Sequence, residues 1–201
     1  MIKNIISDIG NVLYEFIVED FLNDYVDEED RESFFNNTFN SKDWILMDKG
    51  VVSFEDSRKH FIEVCGNKYK DTVNKIFDTS LTVCLNKDNN NIELLKDYHA
   101  KGYNIYYLSN MPIETFELLR KETDFFDSVC IGGIISADIK MVKPDKEIFE
   151  YFLNKFDVNA DECLFIDDNI KNVNSAIEMG IKSVHLKNID DMYDVLKDEL
   201  K

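Results

Sequence analysis

The chain has few cysteines, and none of them is arranged for a cross-link or a metal. Its four cysteines are widely spaced and include no Cys-x-x-Cys pair, and no histidine lies at metal-ligand spacing. This pattern indicates neither a disulfide framework nor a zinc site. The cysteines are Cys65, Cys84, Cys130 and Cys163. The last two lie in apolar runs, and we expect them to be core residues.

Basic residues and long apolar runs are also scarce. Against 40 Asp and Glu residues there are 23 Lys and Arg residues, which gives a formal net charge of −17. Such a surface repels nucleic acid and anionic membranes. No run approaches the roughly 18 apolar residues of a membrane helix, and the first residues lack the pattern of a secretory leader. We therefore expect a soluble, cytoplasmic monomer or weak homodimer that binds neither nucleic acid nor membranes.

What the chain does contain is enough apolar sequence for a sizeable core. Its 201 residues, 44% of them hydrophobic, suit one domain with a modest insertion. Short runs rich in Ile, Val, Tyr and Phe predict buried strands at 3–8, 103–108, 128–131, 162–166 and 183–186. Helical patterns at 91–100, 113–121, 146–156 and 172–179 alternate with them. The alternation predicts an α/β fold, a three-layer Rossmann-like core with a parallel sheet between helices.

Residues 16–85 break this alternation. They contain no convincing strand, and instead predict amphipathic helices at 18–25, 29–39, 54–65 and 69–77. Ser53 with Asp56 resembles the capped start of the third of these helices. We expect residues 1–15 and 86–201 to form the core and 16–85 to form an inserted, all-helical cap above the first strand. The Asn-rich stretch 86–91 is the expected return linker.

Polar residues mark the ends of the apolar strands. Asp8 closes the first predicted strand, and the later clusters are Ser109-Asn110, Lys143-Pro144 and Asp167-Asp168. Open α/β sheets place their reactive groups at the carboxyl ends of their strands. A nucleophile, a hydroxyl, a lysine and an acidic pair are what a magnesium-dependent phosphoryl transfer through an aspartate requires. A small phosphorylated metabolite suits this acidic chain if a metal ion and a lysine reverse the field inside the pocket.

These clusters resemble the four motifs of the haloacid dehalogenase superfamily. The matching segments are Asp8-Ile9-Gly10-Asn11-Val12, Leu108-Ser109-Asn110, Lys143-Pro144-Asp145 and Ile166-Asp167-Asp168-Asn169. They are most similar to the phosphatase branch with a helical cap between the first two motifs, and within it to sugar phosphatases of the glucose-1-phosphate phosphatase type. The resemblance spans residues 5 to about 180. It implies a Mg²⁺-dependent phosphatase for a small phosphorylated metabolite, with a sugar phosphate as the expected substrate.

The resemblance also implies a role for each acidic residue of the motifs. Asp8 is expected to attack phosphorus and form an aspartyl-phosphate, which splits one difficult hydrolysis into two easier steps. Mg²⁺ prefers oxygen ligands, and here these are expected from Asp8, the Gly10 carbonyl and Asp168. Asp167 is expected to hold either a metal-bound water or Lys143. Two adjacent carboxylates are costly without a cation, which favours a metal site over an acidic turn.

The remaining motif residues are expected to bind the phosphate. Lys143 would neutralise both Asp8 and the transferring group, and Pro144, one of only two prolines, constrains the backbone beside it. Ser109, with Asn110 beside it, would donate its hydroxyl to a phosphate oxygen, although a serine there also suits a simple helix cap. Further donors are expected from the backbone N–H groups of Ile9 and Gly10.

Two residues depart from the pattern of many phosphatases in the superfamily. Gly10 stands where a second aspartate often protonates the leaving group and then activates water. Losing general acid–base catalysis typically costs about 10²- to 10⁴-fold in rate. The glucose-1-phosphate phosphatase type also has glycine at this position, so Gly10 alone does not imply inactivity. Lys140 stands where a glycine often precedes the Lys-Pro motif, so that loop is expected to run differently.

The cap is expected to select the substrate, and four alternative functions remain open. Candidate pocket residues are Phe16, Trp44, Met47 and Lys49 from the cap, with Asn11 and Tyr14 from the core; each is as readily a packing or surface residue. A catalytically weak binding protein is supported only by Gly10. A haloacid dehalogenase needs no metal, which the Asp167-Asp168 pair argues against. A phosphoryl-accepting receiver domain is usually shorter, and a phosphomutase needs an acid/base that Gly10 does not supply.

Overall fold

The computed structural model describes residues 1–200 as a five-stranded parallel sheet with helices on both faces and a helical cap. The strands are β1 (Asn4–Ser7), β2 (Tyr14–Phe16), β3 (Leu85–Lys87), β4 (Asn104–Ser109), β5 (Cys130–Ile135), β6 (Cys163–Asp167) and β7 (Lys182–His185). The helices are α1 (Val18–Tyr25), α2 (Arg31–Asn37), α3 (Lys42–Asp48), α4 (Phe54–Cys65), α5 (Lys70–Asp78), α6 (Asn89–Ala100), α7 (Ile113–Glu122), α8 (Phe125–Ser128), α9 (Ser136–Ile139), α10 (Lys146–Phe156), α11 (Ile170–Glu178) and α12 (Met192–Glu199). Among residues 1–200, no helix has both the length and the apolar character to cross a membrane.

The parallel sheet has the order β5-β4-β1-β6-β7. Strand β1 lies at its centre, paired on one side with β4 and on the other with β6. Alternation along β1 sends Ile5 into the hydrophobic cluster on one face and Ile6 into the cluster on the other. Helices α6, α7 and α12 cover the first face, and α10 and α11 cover the second. The predicted three-layer α/β core is therefore confirmed.

Helices α1 to α5 share a separate hydrophobic cluster. It is rich in aromatic side chains, with Trp44 and Phe61 stacked at 6.0 Å between ring centroids. The predicted start of α4 is observed, since the Ser53 hydroxyl accepts a hydrogen bond from the Asp56 amide at 3.1 Å. The helix predicted at 29–39 is divided, with a 3₁₀ turn at Glu28–Asp30 before α2. Helix α3 was not predicted.

The prediction that residues 16–85 contain no strand is wrong at both edges. Strands β2 and β3 form an antiparallel ribbon, in which Phe16 pairs with Leu85, and the five cap helices lie between them. Strands of three residues with a partner far away in sequence leave no periodic signal. The expected linker at 86–91 is instead the end of β3 and the start of α6, which is capped by the Asp88 side chain.

The strand predicted at 128–131 is shifted toward the carboxyl terminus. Ser128 ends α8, and β5 continues through Gly132 and Gly133. Because glycine carries no apolar side chain, the apolar run that predicts a strand is interrupted at these two residues. The structure explains why glycine occupies both positions. A Cβ on Gly133 would lie 2.2 Å from the Tyr107 ring, and one on Gly132 would lie 2.8 Å from the Phe156 ring. The glycines allow two aromatic rings to pack on this strand.

Candidate active site

A cavity of about 170 Å³ opens at the carboxyl ends of the central strands, beneath the cap. Asp8 directly follows β1, and Ser109 is the last residue of β4. At the base of the cavity the core contributes polar side chains, whereas the cap contributes aromatic and aliphatic groups and one carboxylate. The lining residues are Asp8, Gly10, Asn11, Phe16, Trp44, Asp48, Leu81, Leu85, Ser109, Asn110, Met111, Pro112, Thr115 and Asp168.

Lys143 joins the predicted nucleophile to the acidic pair. Its side chain is almost fully buried, and its Nζ lies 2.8 Å from Asp8 Oδ2 and 2.7 Å from Asp167 Oδ2. The same ammonium donates a third hydrogen bond to the Leu108 carbonyl at 2.8 Å. Burial alone lowers the pKa of Lys143, but the charges of Asp167 and Asp8 outweigh it and raise that pKa. The lysine is therefore held as a cation.

Asn110 holds the backbone of Lys143 in place. Its Nδ2 donates to the Lys143 carbonyl at 2.9 Å, and its Oδ1 accepts from the Lys143 amide at 2.9 Å. Since both ends of the amide are used in this way, Asn110 positions Lys143. Lys140, nearby at the end of α9, has a φ of +57°. It thus adopts the left-handed backbone conformation that favours glycine.

The two acidic residues at the end of β6 have different surroundings. Asp167 is fully buried, and its Oδ1 accepts hydrogen bonds from the Asn169 amide and the Asn172 side chain. With Lys143 on its Oδ2, it is the better-partnered carboxylate. Asp168 is half-buried and lines the cavity. Its Oδ2 accepts from Asn11 Nδ2 at 2.8 Å.

Asn11 connects the active-site loop to the cap. Its Oδ1 accepts from the Phe16 amide at 2.8 Å, at the end of β2, while its Nδ2 holds Asp168. The residue has a φ of +51°, a conformation that asparagine tolerates better than most residues. The loop after β1 therefore fixes both an acidic residue of the site and the strand that leads into the cap.

The acidic groups of the site repel one another. Oxygen atoms of Asp8, Asp167 and Asp168 lie within 4.8 Å of one another. Burial raises the pKa of Asp8 to about 7; Lys143 counteracts this shift, and the charges of Asp167 and Asp168 add to it. Burial also raises the pKa of Asp168, partly offset by the hydrogen bond from Asn11. One lysine does not balance three carboxylates, and converging carboxylate oxygens suit a divalent cation such as Mg²⁺.

The structure brings most of the predicted site residues together. Asp8, Gly10, Ser109, Asn110 and Asp168 line the cavity, and Lys143 and Asp167 lie directly behind. The Ile9 amide donates to Asp8 Oδ1 at 2.7 Å, so here it holds the nucleophile.

The predicted specificity residues divide into two groups. Asn11, Phe16 and Trp44 line the cavity. Met47 is buried in the cap cluster, and Tyr14 is buried in the core. Lys49 does not line the cavity either; its Nζ lies 3.5 Å from Asp145 Oδ2, across the boundary between cap and core.

Asp48 lines the cavity and was missed by the sequence analysis. It is the last residue of α3, the helix that was not predicted. The sequence does contain a signal for Asp48. It lies four residues after Trp44, a predicted pocket residue, and residues four apart share one face of a helix. Without a helix at 42–48, that spacing had no structural meaning.

Comparisons with known proteins point to one family. The family model for haloacid dehalogenase-like hydrolases matches residues 2–180. A sesquiterpene phosphatase from Aspergillus oryzae is 29% identical over 187 residues, covering 92% of this chain and 89% of the relative. A D-ribitol-5-phosphate phosphatase from Bacteroides thetaiotaomicron is 24% identical over 200 residues, covering 94% and 93%. A family enzyme from the same bacterium, solved with magnesium and inorganic phosphate, superimposes with a TM-score of 0.71 at 23% identity, covering 92% and 93%.

Proposed function

The chain belongs to the haloacid dehalogenase-like hydrolases, and we propose that it is a Mg²⁺-dependent phosphatase that works through an aspartyl-phosphate on Asp8. The predicted family is thereby confirmed. One observation carries the proposal: the buried Lys143 ammonium bridges Asp8 and Asp167 at 2.8 and 2.7 Å, with Asp168 beside them. This arrangement combines a nucleophile, a fixed positive charge and a cluster of oxygen ligands at one edge of the sheet.

In the first step, the Asp8 carboxylate attacks phosphorus, and the bond from phosphorus to the leaving oxygen breaks. In the second step, water attacks the aspartyl-phosphate and releases inorganic phosphate and free Asp8. Lys143 holds Asp8 in place and offers positive charge to the phosphoryl oxygens, and Ser109 donates its hydroxyl to one of them. Asp167 acts through Lys143, which it holds in position.

The acidic cluster fits the predicted cofactor. Asp8, Asp168 and the Gly10 carbonyl would hold Mg²⁺, with Asp167 behind them. When bound, Mg²⁺ offsets the repulsion between a carboxylate nucleophile and a dianionic phosphate. The raised pKa values of Asp8 and Asp168 support this assignment, because burial and neighbouring carboxylates disfavour their charged forms and a bound cation would offset that cost.

We propose a small phosphorylated metabolite as the substrate, with sugar phosphates first. The cavity is small beside the roughly 300–1,000 Å³ of sites for drug-sized ligands. Trp44 and Phe16 offer aromatic faces to a sugar ring, and one relative is a phosphatase of a sugar-alcohol phosphate. Leu81, Leu85 and Met111 make part of the wall apolar, and another relative is a sesquiterpene phosphatase. Isoprenoid phosphates therefore belong in the same substrate panel.

The test is phosphate release from a panel of sugar, nucleotide and isoprenoid phosphates, with Mg²⁺ and with a chelator. We expect Mg²⁺-dependent release that Asp8→Asn lowers by about 10⁴-fold or more, as loss of a covalent nucleophile does. Asp194→Asn, an exposed change on α12, is the matched control and should keep full activity. Release that survives Asp8→Asn would contradict the proposal. So would a folded wild-type protein that binds Mg²⁺ but hydrolyses nothing in the panel.

A further inference from the structure

Gly10 supplies no acidic side chain, and the space above it is open. A Cβ placed on Gly10 would meet no atom within 4 Å, and the residue lines the cavity. Hydrolysis of an alkyl phosphate needs a proton on the leaving oxygen, and the second step needs a base for water. The site must therefore receive its acid/base from another element of the fold, if the proposed phosphatase function holds.

Three carboxylates line the cavity, and the proposed chemistry uses only two of them. Asp8 is the nucleophile and Asp168 is a metal ligand, which leaves Asp48 of the cap without a role. In an in-line displacement, the leaving oxygen lies on the side of phosphorus opposite the nucleophile. Asp8 attacks from the sheet, so the leaving oxygen faces the cap. Asp48 is the carboxylate on that side.

The end of α3 is docked tightly on the core. The Ser136 hydroxyl, at the start of α9, donates to the Asp48 carbonyl and accepts from the Met111 amide. Two residues beyond Asp48, Gly50 has a φ of +69°, and a Cβ there would lie 2.4 Å from the Ala137 carbonyl oxygen. Only glycine permits so close a backbone contact. Asp48 is thus held over the site by the fold.

The surroundings of Asp48 favour a protonated side chain. Burial and the negative charge of Asp8 raise the pKa of Asp48 well above its usual range. The neighbouring cation, Lys49, contacts Asp145 on the core surface. A buried carboxyl beside another negative charge is better suited than an exposed one to deliver a proton to a leaving oxygen.

We infer that Asp48 is the acid/base residue of this enzyme, supplied by the cap in place of a side chain at position 10. As the bond from phosphorus to the leaving oxygen breaks, the proton of Asp48 passes to that oxygen and the product leaves as an alcohol. The Asp48 carboxylate then takes a proton from the water that attacks the aspartyl-phosphate. This restores the acid and completes the cycle without any further reactant.

The experiment compares Asp48→Asn with wild type on two substrates in Mg²⁺. On a sugar or alkyl phosphate, whose leaving oxygen needs a proton, we expect a fall of about 10²- to 10⁴-fold in kcat. The leaving group of p-nitrophenyl phosphate needs no proton. On this substrate the variant should therefore keep the rate of the first step, formation of the aspartyl-phosphate, but be slow in the second step, its hydrolysis. The variant should therefore release a burst of about one nitrophenol per active site and accumulate an acid-quenchable phosphoenzyme on Asp8.

Matched variants separate this role from a structural one. Asp43→Asn, on the exposed face of the same helix and paired with His60, should show neither the fall nor the burst. Adding Gly10→Asp to Asp48→Asn should recover at least about tenfold of the alkyl phosphatase rate, because the space above Gly10 accepts a side chain. If Asp48→Asn acted by misfolding the cap, a new carboxylate at position 10 of the core would not restore activity.

Two results would overturn the inference while leaving the phosphatase intact. One is an Asp48→Asn variant that hydrolyses the alkyl phosphate within about threefold of wild type. The other is a rise in KM for hydroxylated substrates with no burst, which would make Asp48 a binding group only. A wild-type protein with no Mg²⁺-dependent turnover would instead refute the proposed function, and this inference with it.

Discussion

Two sides of the cavity are held in place by different interactions. We call the core residues Asp8, Ser109, Lys143 and Asp167-Asp168 the floor, and the cap residues Phe16, Trp44 and Asp48 the roof. On the floor, Asp8, Ser109 and the Asp167-Asp168 pair lie at the ends of strands, and the ammonium of Lys143 is held by Asp8, Asp167 and the Leu108 carbonyl. The roof is an aromatic cap cluster that exposes Trp44 and Phe16 to the cavity and carries one acidic residue, Asp48. The sheet therefore positions the reactive groups, while the inserted cap forms the surroundings of the leaving group.

The two regions also depend on different forces for their positions. The floor is held by buried charge, in which one lysine serves two carboxylates. Removing one partner of such a group leaves an uncompensated buried charge, which is costly. The roof is held by apolar packing and by the backbone contact of Gly50 with Ala137. Substitutions can therefore be chosen that act first on one region.

The largest effect on stability is expected from the floor. Lys143→Met leaves Asp8 and Asp167 buried without a cation, and should lower the free energy of unfolding by about 3–5 kcal/mol. Urea unfolding in a chelator measures it. The matched control is Lys146→Met, which removes an exposed lysine paired with Glu178 and should cost no more than about 1 kcal/mol. Equal losses in the two variants would show that the buried network contributes no more than a surface pair.

A change at the roof should reduce turnover while the protein still folds. Gly50→Ala places a Cβ against Ala137 and forces the end of α3 away from the core. Because a displacement of about 1 Å in a catalytic group can cost about 10²-fold, we expect a fall of that order in kcat/KM. Gly66→Ala is the control: its φ of +77° carries a similar backbone penalty, but it ends α4 in open space. If both variants lose the same activity, the docking of α3 is not what positions Asp48.

The smallest expected effect is on the pH dependence of the free energy of unfolding, and it involves both the floor and the roof. The pKa values of Asp8, Asp48 and Asp168 are raised in the folded protein, whereas an unfolded aspartate ionises near pH 3.9. Above that pH the folded state binds more protons, so these groups make the free energy of unfolding fall as pH rises toward 7. Asp48→Asn should make that fall smaller between pH 5 and pH 8.

Unfolding by urea at the two pH values, with and without Mg²⁺, measures this pH effect. Mg²⁺ should stabilise the wild-type protein more at pH 8 than at pH 5, because its ligands must be ionised. An Asp48→Asn variant with the pH slope of wild type would show that folding does not raise the pKa of Asp48.

The floor could be predicted residue by residue, and the roof could not. Asp8, Ser109, Lys143 and the Asp167-Asp168 pair each follow a recognisable apolar strand or lie beside a proline, so local sequence identifies them. In the cap, Trp44 was named as a candidate but Asp48 was not, because α3 has seven residues and its pattern is too short to detect. Met47, which was named, proved to be buried in the cap cluster.

Local sequence patterns are enough to predict the alternation of strands and helices, the helical insertion after the first strand and the order of the polar clusters. These follow from local patterns of apolar residues and turns, which a chain carries wherever it folds. Tertiary packing, in contrast, is what brings Asp48 to the site, Asn110 to Lys143, and Gly50 to Ala137. These contacts join residues far apart in the chain, and they exist because the cap packs back on the carboxyl edge of the sheet.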